Sequence, residues 1–155
     1  MARYLEDLVV GAEYRSAGRT ITESDIVAFA GISGDFSPLH TDELWVRANT
    51  PFRGRIAHGL LVLGISSGLA TPGLQELEVV AYLEERRRFT APTYPGDTIH
   101  AVFTVTSARP SASRPGLGVA TVEVAVVNQR GETVQAGEDV WLVNRRPPED
   151  DDATA

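Results

Sequence analysis

The hydrophobic pattern of the chain changes at about residue 78. Before it, apolar residues recur at helical spacing or in solid runs, whereas the later stretches are rich in Val, Thr and aromatic residues that partly alternate with polar ones. Pro and Gly clusters separate these later stretches, which predict strands over residues 79–90, 97–110, 118–131 and 132–145. A hairpin turn is predicted near Asn128 to Gly131. Helices that come early and strands that come late indicate an α+β fold.

Two helices are predicted in the first half, after a short extended segment over residues 13–21. The first follows Thr22, whose side chain can cap it because Asp25 stands three residues further on. The second is predicted over residues 42–49. The stretch GDFSPLH lies between them and is predicted to be an irregular loop, because Pro38 restricts the residue before it to an extended conformation.

A third helix is predicted over residues 57–70 and is apolar nearly all round, which is typical of a helix buried on every side. One narrow stripe of small residues would let a sheet or a ligand approach it closely: Gly64, Ser67, Gly68 and Thr71. We therefore predict that a curved antiparallel sheet wraps around this long central helix. A single sheet leaves an edge strand open, so we expect a dimer that covers it.

Composition and charge restrict the classes of function. The 155 residues, 43% of them apolar, fit one domain, predicted over residues 1–146 and followed by an acidic disordered tail over residues 147–155. The net charge of −7 argues against a nucleic-acid partner, which requires a basic surface. The absence of cysteine excludes disulfides and thiolate chemistry. No apolar run could span a bilayer and no secretory signal pattern occurs, so we expect a cytoplasmic protein without a membrane partner.

The loop GDFSPLH places a carboxylate, Asp35, and an imidazole, His40, five positions apart. In a structural interpretation His40 caps the helix that follows. In a functional interpretation the rigid loop holds both groups beside a pocket, where they bind a water molecule and move its proton. The local pattern leaves both open. Of the other histidines, His58 is predicted to cap or pack, and His100 to lie on the surface of the sheet.

The start of the central helix offers a second chemical element. Its first N–H groups are free, and Gly59 has no side chain, so the Gly59 N–H can bind a carbonyl oxygen as an oxyanion hole. One Asp and one His are too few ligands for a metal site, and none is expected. The sequence contains no nucleophile elbow, phosphate-binding loop or dinucleotide fingerprint.

Three blocks of sequence carry a resemblance to a known family: FAGISGDFSPLHTD from residue 29, FRGRIAHGLL from residue 52 and SGL from residue 67, supported by YPGDTI from residue 94. In these blocks the chain resembles the MaoC-like dehydratases, the (R)-specific enoyl-CoA hydratases of the hot-dog superfamily. The resemblance extends over about residues 10–145 and implies a hot-dog fold and a homodimer.

The resemblance also implies roles for particular residues. Asp35 and His40 match the catalytic pair, and Gly59 matches the residue whose N–H polarises a thioester carbonyl. Ser67 matches a serine that assists near the active site. The family often has Asn where this chain has Ser37, so we expect Ser37 to support the loop and to affect substrate preference.

The implied reaction adds water reversibly across the trans-2 double bond of an enoyl thioester carried by CoA or an acyl carrier protein, without a cofactor. The acyl chain is expected along the small stripe at Gly64 and Ser67. Candidate contacts for the phosphates of the carrier are Arg53, Arg55, Arg86 and Arg88. Two alternatives stay open: a hot-dog thioesterase, and a non-catalytic acyl-binding subunit of a heteromeric dehydratase.

Overall fold

The computed structural model describes residues 1–148, so the tail predicted over residues 147–155 lies outside them apart from its first two positions. Within residues 1–148 no helix is long and apolar enough to cross a bilayer. After a 3₁₀ turn, the elements in chain order are β1 (Glu13–Arg15), β2 (Arg19–Thr20), α1 (Glu23–Ser33), α2 (Pro38–Thr41), α3 (Glu43–Asn49), α4 (Gly59–Ser67), β3 (Val79–Phe89), β4 (Thr98–Pro110), β5 (Leu117–Asn128) and β6 (Thr133–Asn144).

The first predicted helix begins where its capping residues stand. The Thr22 Oγ1 accepts a hydrogen bond from the Asp25 N–H at 3.2 Å, and the Asp25 carboxylate accepts one from the Thr22 N–H at 2.8 Å. The helix ends at Gly34, whose φ of 76° is left-handed and favours glycine. The next long helix, α3, is capped by Asp42, which accepts from the Trp45 N–H at 2.9 Å. The interpretation of His40 as the cap of α3 is therefore wrong.

The strands form one antiparallel sheet, and the predicted α+β class is confirmed. The strand order is β1-β4-β5-β6-β3, with β2 also paired to β4. The segment predicted over residues 13–21 thus supplies two short strands on the same neighbour rather than one. The predicted hairpin turn is confirmed, because the Gly131 N–H donates to the Asn128 carbonyl at 3.0 Å.

The central helix α4 packs against the sheet, but it is shorter than predicted and buried on one side only. Leu61 and Val62 are 8% and 1% exposed and join the core, whereas Leu60 is 63% exposed. The prediction of burial on every side is wrong for the single chain, because its one sheet covers one side of the helix. The small residues Gly64 and Ser67 lie on the uncovered side.

Strand β3 forms one edge of the sheet, and it carries several half-exposed apolar side chains. Val80, Leu83 and Phe89 are 50%, 53% and 56% exposed. The opposite edge is formed by the short strands β1 and β2. The single chain therefore leaves one long edge strand and one helix side unpaired.

Candidate active site

A turn and a very short helix bring Asp35 and His40 together. The Asp35 Oδ1 accepts a hydrogen bond from the Ser37 N–H at 3.1 Å, and the Ser37 Oγ accepts one from the Leu39 N–H at 3.4 Å. With Pro38 at the first position, this capping starts α2, so the prediction of an irregular loop is wrong for Pro38–Thr41. Ser37 supports the loop geometry in this way, because its side chain accepts from the backbone N–H of Leu39.

The carboxylate and the imidazole face each other across a short gap. The Asp35 Oδ2 lies 3.8 Å from the His40 Nε2, too far for a direct hydrogen bond but suited to a shared water molecule. The His40 Nδ1 is 2.7 Å from the Ile56 carbonyl, so Nδ1 carries the hydrogen and Nε2 presents its lone pair to Asp35. His40 is 8% exposed, whereas the Asp35 side chain is 50% exposed and reaches solvent.

The structure brings a second histidine into the site. The His58 ring stacks on the His40 ring with centroids 3.7 Å apart, and its Nε2 lies 2.9 Å from the Asp35 carbonyl. His58 occupies the N-cap position of α4, but its side chain makes no capping hydrogen bond. The capping interpretation of His58 is wrong, and its ring is packed inside the site instead. The only sequence signal for this was its position directly before Gly59.

Helix α4 begins at Gly59, as the oxyanion-hole hypothesis requires. Among residues 1–148 no acceptor takes a hydrogen bond from the Gly59 N–H. A Cβ at this position would lie 2.6 Å from the Phe89 ring, so the close contact favours glycine. The Gly59 carbonyl accepts a hydrogen bond from the Gln135 Nε2 at 2.7 Å, which ties the start of the helix to β6. Sequence reasoning missed Gln135, which lies 76 positions away.

A cavity of about 280 Å³ adjoins His40 and Gly59, whereas Asp35 and His58 are not among its lining residues. Its walls are mostly apolar, and its polar members include His40, Thr93 and Gln135. Gly59 contributes the start of α4 to the same cavity. Small apolar cavities with a few convergent polar groups are typical of sites that bind and orient a small molecule.

The other predicted substrate contacts lie elsewhere in the single chain. Ser67 is eight residues along α4 from Gly59, about 12 Å at the helical rise. The Ser67 Oγ donates to the Gly64 carbonyl at 3.0 Å. Ser67 lines a second cavity of about 300 Å³ together with Tyr82, and Gly64 lines an open groove on the uncovered side of α4. The structure does not bring Gly64 or Ser67 to His40.

The four predicted arginines divide into two pairs. Arg53 and Arg55 line a groove in the segment that leads into α4. The Arg55 guanidinium is 2.9 Å from Glu23, whereas the Arg53 guanidinium lies 4.1 Å from the centroid of the Tyr94 ring.

The other two arginines lie on β3, beside acidic residues. Arg86 bonds Glu138 at 3.1 Å, and Arg86 and Arg88 line a trough with Glu13 and Glu123. The neighbouring Arg87 is buried beside Asp139, as the alternation of side chains along a strand requires when Arg86 is exposed. The structure does not bring Arg86 and Arg88 to the cavity of His40.

Asp35, His40 and His58 also place three possible metal ligands within 4.8 Å of one another. The His58 Nε2 is bonded to the Asp35 carbonyl, and the His40 Nδ1 is bonded to the Ile56 carbonyl. A metal ion bound through the His58 Nε2 would have to displace its hydrogen bond to the Asp35 carbonyl. The arrangement fits a pair of groups that share a water molecule better than a metal site.

Comparison with known proteins relates this geometry to a family. A family model described as a MaoC like domain matches residues 7–128. The (R)-specific enoyl-CoA hydratase of Rhodospirillum rubrum is 40% identical over 110 residues, covering 69% of this chain and 72% of that protein. The (R)-specific enoyl-CoA hydratase of Aeromonas caviae is 33% identical over 135 residues, covering 87% and 95%. The crystal structure of a MaoC-like dehydratase from Rhodospirillum rubrum superposes with a TM-score of 0.77 at 34% identity, covering 94% of this chain and 99% of that one.

The helix on an antiparallel sheet is a hot-dog fold, and the chain belongs to the hydratase and dehydratase class of enzymes. The chain belongs to the MaoC-like family, and the resemblance seen in the sequence is confirmed.

Proposed function

We propose that this enzyme is an (R)-specific hydratase that adds water reversibly across the trans-2 double bond of an enoyl thioester. The observation that carries the proposal is the placement of the Asp35 carboxylate 3.8 Å from the His40 Nε2, beside a cavity that receives the start of α4 at Gly59. The names of the relatives from Rhodospirillum rubrum and Aeromonas caviae, both (R)-specific enoyl-CoA hydratases, support it.

In the mechanism, the Gly59 N–H acts on the carbonyl end of the conjugated enoyl thioester, and the Asp35–His40 pair acts at C3. The Gly59 N–H binds the thioester carbonyl oxygen and makes C3 electrophilic. Water held by Asp35 and His40 adds its oxygen to C3 and gives one proton to the pair, while the electrons of the double bond move through C2 to the carbonyl as an enolate. A proton returned to C2 completes the (R)-3-hydroxyacyl thioester. One donor aimed at such an oxyanion contributes about 3 kcal/mol to the barrier reduction.

The carrier of the acyl group is proposed to meet Arg53 first. Ala57 and Thr93 line the cavity, whereas Arg53 and Tyr94 line a separate groove, in which Tyr94 directly follows Thr93 in the chain. The Arg53 guanidinium packs on the Tyr94 ring, while Arg55 is held by carboxylates. Arg53 is therefore better placed than Arg55 to bind a phosphate of CoA or of the prosthetic group of a carrier protein.

We also infer that the enzyme works as a homodimer. The unpaired edge of β3 and the uncovered side of α4 both carry exposed apolar residues, among them Leu60 and Leu83. A second copy that pairs along β3 would bury the edge and extend the sheet. Because Phe89 at the end of β3 also lines the cavity, this pairing would place the partner beside the site.

Turnover of crotonyl-CoA by the full chain tests the proposal. The wild-type enzyme is expected to remove the enoyl absorbance and form the (R)-3-hydroxy product, as chiral analysis would show. Asp35→Asn keeps the acceptor for the Ser37 N–H but loses the charge, and His40→Gln loses the imidazole. Each should lower kcat by about 100-fold or more, the usual contribution of acid–base catalysis.

His100→Gln serves as the matched control, because His100 lies on β4 away from the cavity. Near-native kcat in Asp35→Asn would rule out the proposed pair. Release of free thiol without a 3-hydroxy product would identify a thioesterase instead.

A further inference from the structure

Two buried histidines each bond to the chain segment that carries the other. His40 belongs to the segment of Asp35, and its Nδ1 lies 2.7 Å from the carbonyl of Ile56, just before α4. His58 belongs to the segment of Ile56, and its Nε2 lies 2.9 Å from the carbonyl of Asp35. The two rings stack at 3.7 Å between these bonds. We call these two hydrogen bonds and the stacked rings the histidine brace.

We propose that His58 is a positioning residue for the hydration reaction, an inference that rests on the proposed function above. His58 directly precedes Gly59 in the chain. The bond from its side chain to the Asp35 carbonyl therefore ties the loop that holds the water molecule to the N–H that holds the thioester oxygen. Addition of water requires these two groups at a fixed separation, because the carbonyl carbon and C3 are two bonds apart in the substrate.

The hydrogen positions in the brace follow from its acceptors. A carbonyl accepts only from a nitrogen that carries hydrogen, so His58 has its proton on Nε2 and His40 has its proton on Nδ1. The two stacked rings are thus opposite tautomers. This arrangement leaves the His40 Nε2 free to accept a proton on the side of Asp35.

The second ring nitrogen of His58, Nδ1, indicates that the residue contributes through its Nε2–H donor and not through packing alone. The His58 Nδ1 is buried and has no hydrogen-bond partner among the described residues. An unpaired buried polar atom destabilises the folded state. A phenyl ring would fill the same space between Phe29 and His40 and would bury no unpaired nitrogen. The hydrogen bond to the Asp35 carbonyl is the interaction that a phenyl ring cannot make.

Two substitutions of His58 separate packing from hydrogen bonding. His58→Phe keeps a stacked ring and removes the donor, and His58→Gln keeps an N–H at a similar reach. We expect His58→Phe to lower kcat for crotonyl-CoA by about 10- to 100-fold with KM within about threefold, since displaced groups lose rate rather than substrate affinity. His58→Gln should recover most of that loss. His100→Phe, the same change in a half-buried histidine on β4, should match the wild type.

Circular dichroism and melting curves establish that each variant is folded. Wild-type kcat in His58→Phe would overturn the proposal, as would equal losses in folded His58→Phe and His58→Gln.

The tautomers supply a readout that does not depend on turnover. Long-range proton–nitrogen correlation spectra of the ¹⁵N-histidine-labelled enzyme distinguish a proton on Nε2 from one on Nδ1. We expect Nε2–H for His58 and Nδ1–H for His40. Absence of a proton from Nε2 of His58 would overturn the brace whatever the activity. An enzyme that shows both tautomers and hydrates no enoyl thioester would instead overturn the proposed function, and with it the positioning role.

Discussion

Gly59 satisfies two separate requirements at one position in the chain. As the first residue of α4 it leaves its N–H without an intrahelical acceptor, and this N–H lies at the cavity. The contact with Phe89 adds a steric requirement, since a Cβ would lie 2.6 Å from the ring. A substitution of Gly59 in the wild type would therefore confuse loss of the donor with a clash.

Removal of the ring separates the two effects. In a Phe89→Ala background, Gly59→Ala keeps the N–H, whereas Gly59→Pro deletes it. Proline suits the first helical position, and the φ of −58° and ψ of 133° at His58 suit a residue before proline. We expect Gly59→Pro to lower kcat by about 100- to 1000-fold relative to Gly59→Ala in this background, the cost of losing an oxyanion donor. Equal kcat values in two variants with matching circular dichroism would exclude the oxyanion role.

Local sequence was sufficient to find the residues that lie close together in the chain. Asp35 and His40 stand five positions apart in one loop, so their spacing and the proline between them made a joint site one of two interpretations, and the family resemblance favoured it. His58 and Gln135 could not be assigned in this way, because their partners Asp35 and Gly59 lie 23 and 76 positions away. Only the packing of α4 between the loop and the sheet brings these groups into contact.

At the scale of elements, the turn before β4 is fixed by one buried carboxylate. The Asp97 carboxylate accepts hydrogen bonds from the Tyr94 N–H at 2.9 Å, from Gln129 at 2.8 Å and from Arg130 at 2.7 Å. These bonds join the start of β4 to the hairpin between β5 and β6. Burial opposes ionisation of Asp97, but the hydrogen bonds from Arg130, Tyr94 and Gln129 outweigh it and hold its pKa below the ordinary value of 3.8.

The stability of the fold should therefore depend on Asp97 in acid. Because the pKa of the folded state is lowered, the carboxylate stabilises the protein above its ordinary pKa of 3.8 and loses this effect as the pH falls through the folded value. We expect Asp97→Asn to lower the free energy of unfolding by about 2 kcal/mol at neutral pH and to lose less stability than the wild type on acidification. Urea unfolding at neutral pH and near pH 3 measures the free energy of unfolding and its change on acidification for both proteins.

Glu123→Gln, at an exposed carboxylate of β5, is the matched control for this change. Parallel stability curves for Asp97→Asn and the wild type would show that the turn does not depend on the charge of Asp97.

Elements with local signals were predicted better than elements defined by their neighbours. The cap of Thr22 and the turn at Gly131 depend on residues within a few positions, and both were found. The burial of α4 depends on what covers each of its sides. An apolar sequence does not say whether the cover comes from the same chain or from another, which is why Leu60 was expected inside and is exposed.

At the scale of the whole molecule, the hot-dog fold leaves β3 as an unpaired edge of 11 residues. We expect the enzyme to sediment as a dimer in analytical ultracentrifugation. The double substitution Val80→Lys with Leu83→Lys should shift it to the monomer, because both side chains are half exposed on this edge and charges oppose pairing.

Val10→Lys is the control, since Val10 is 62% exposed and precedes the opposite edge of the sheet. A wild-type monomer would contradict the inferred dimer. Dissociation by Val10→Lys alone would move the interface to the opposite edge.

The histidine brace has a consequence for the redesign of this enzyme. Each hydrogen bond has its donor in one segment and its acceptor in the other, so the loop around Asp35 and the segment before Gly59 form a single unit. A graft that replaces one of them with a segment that lacks its histidine would remove one of the two hydrogen bonds and the ring stacking. A redesign that keeps the brace therefore transfers residues 35–40 and 56–59 together.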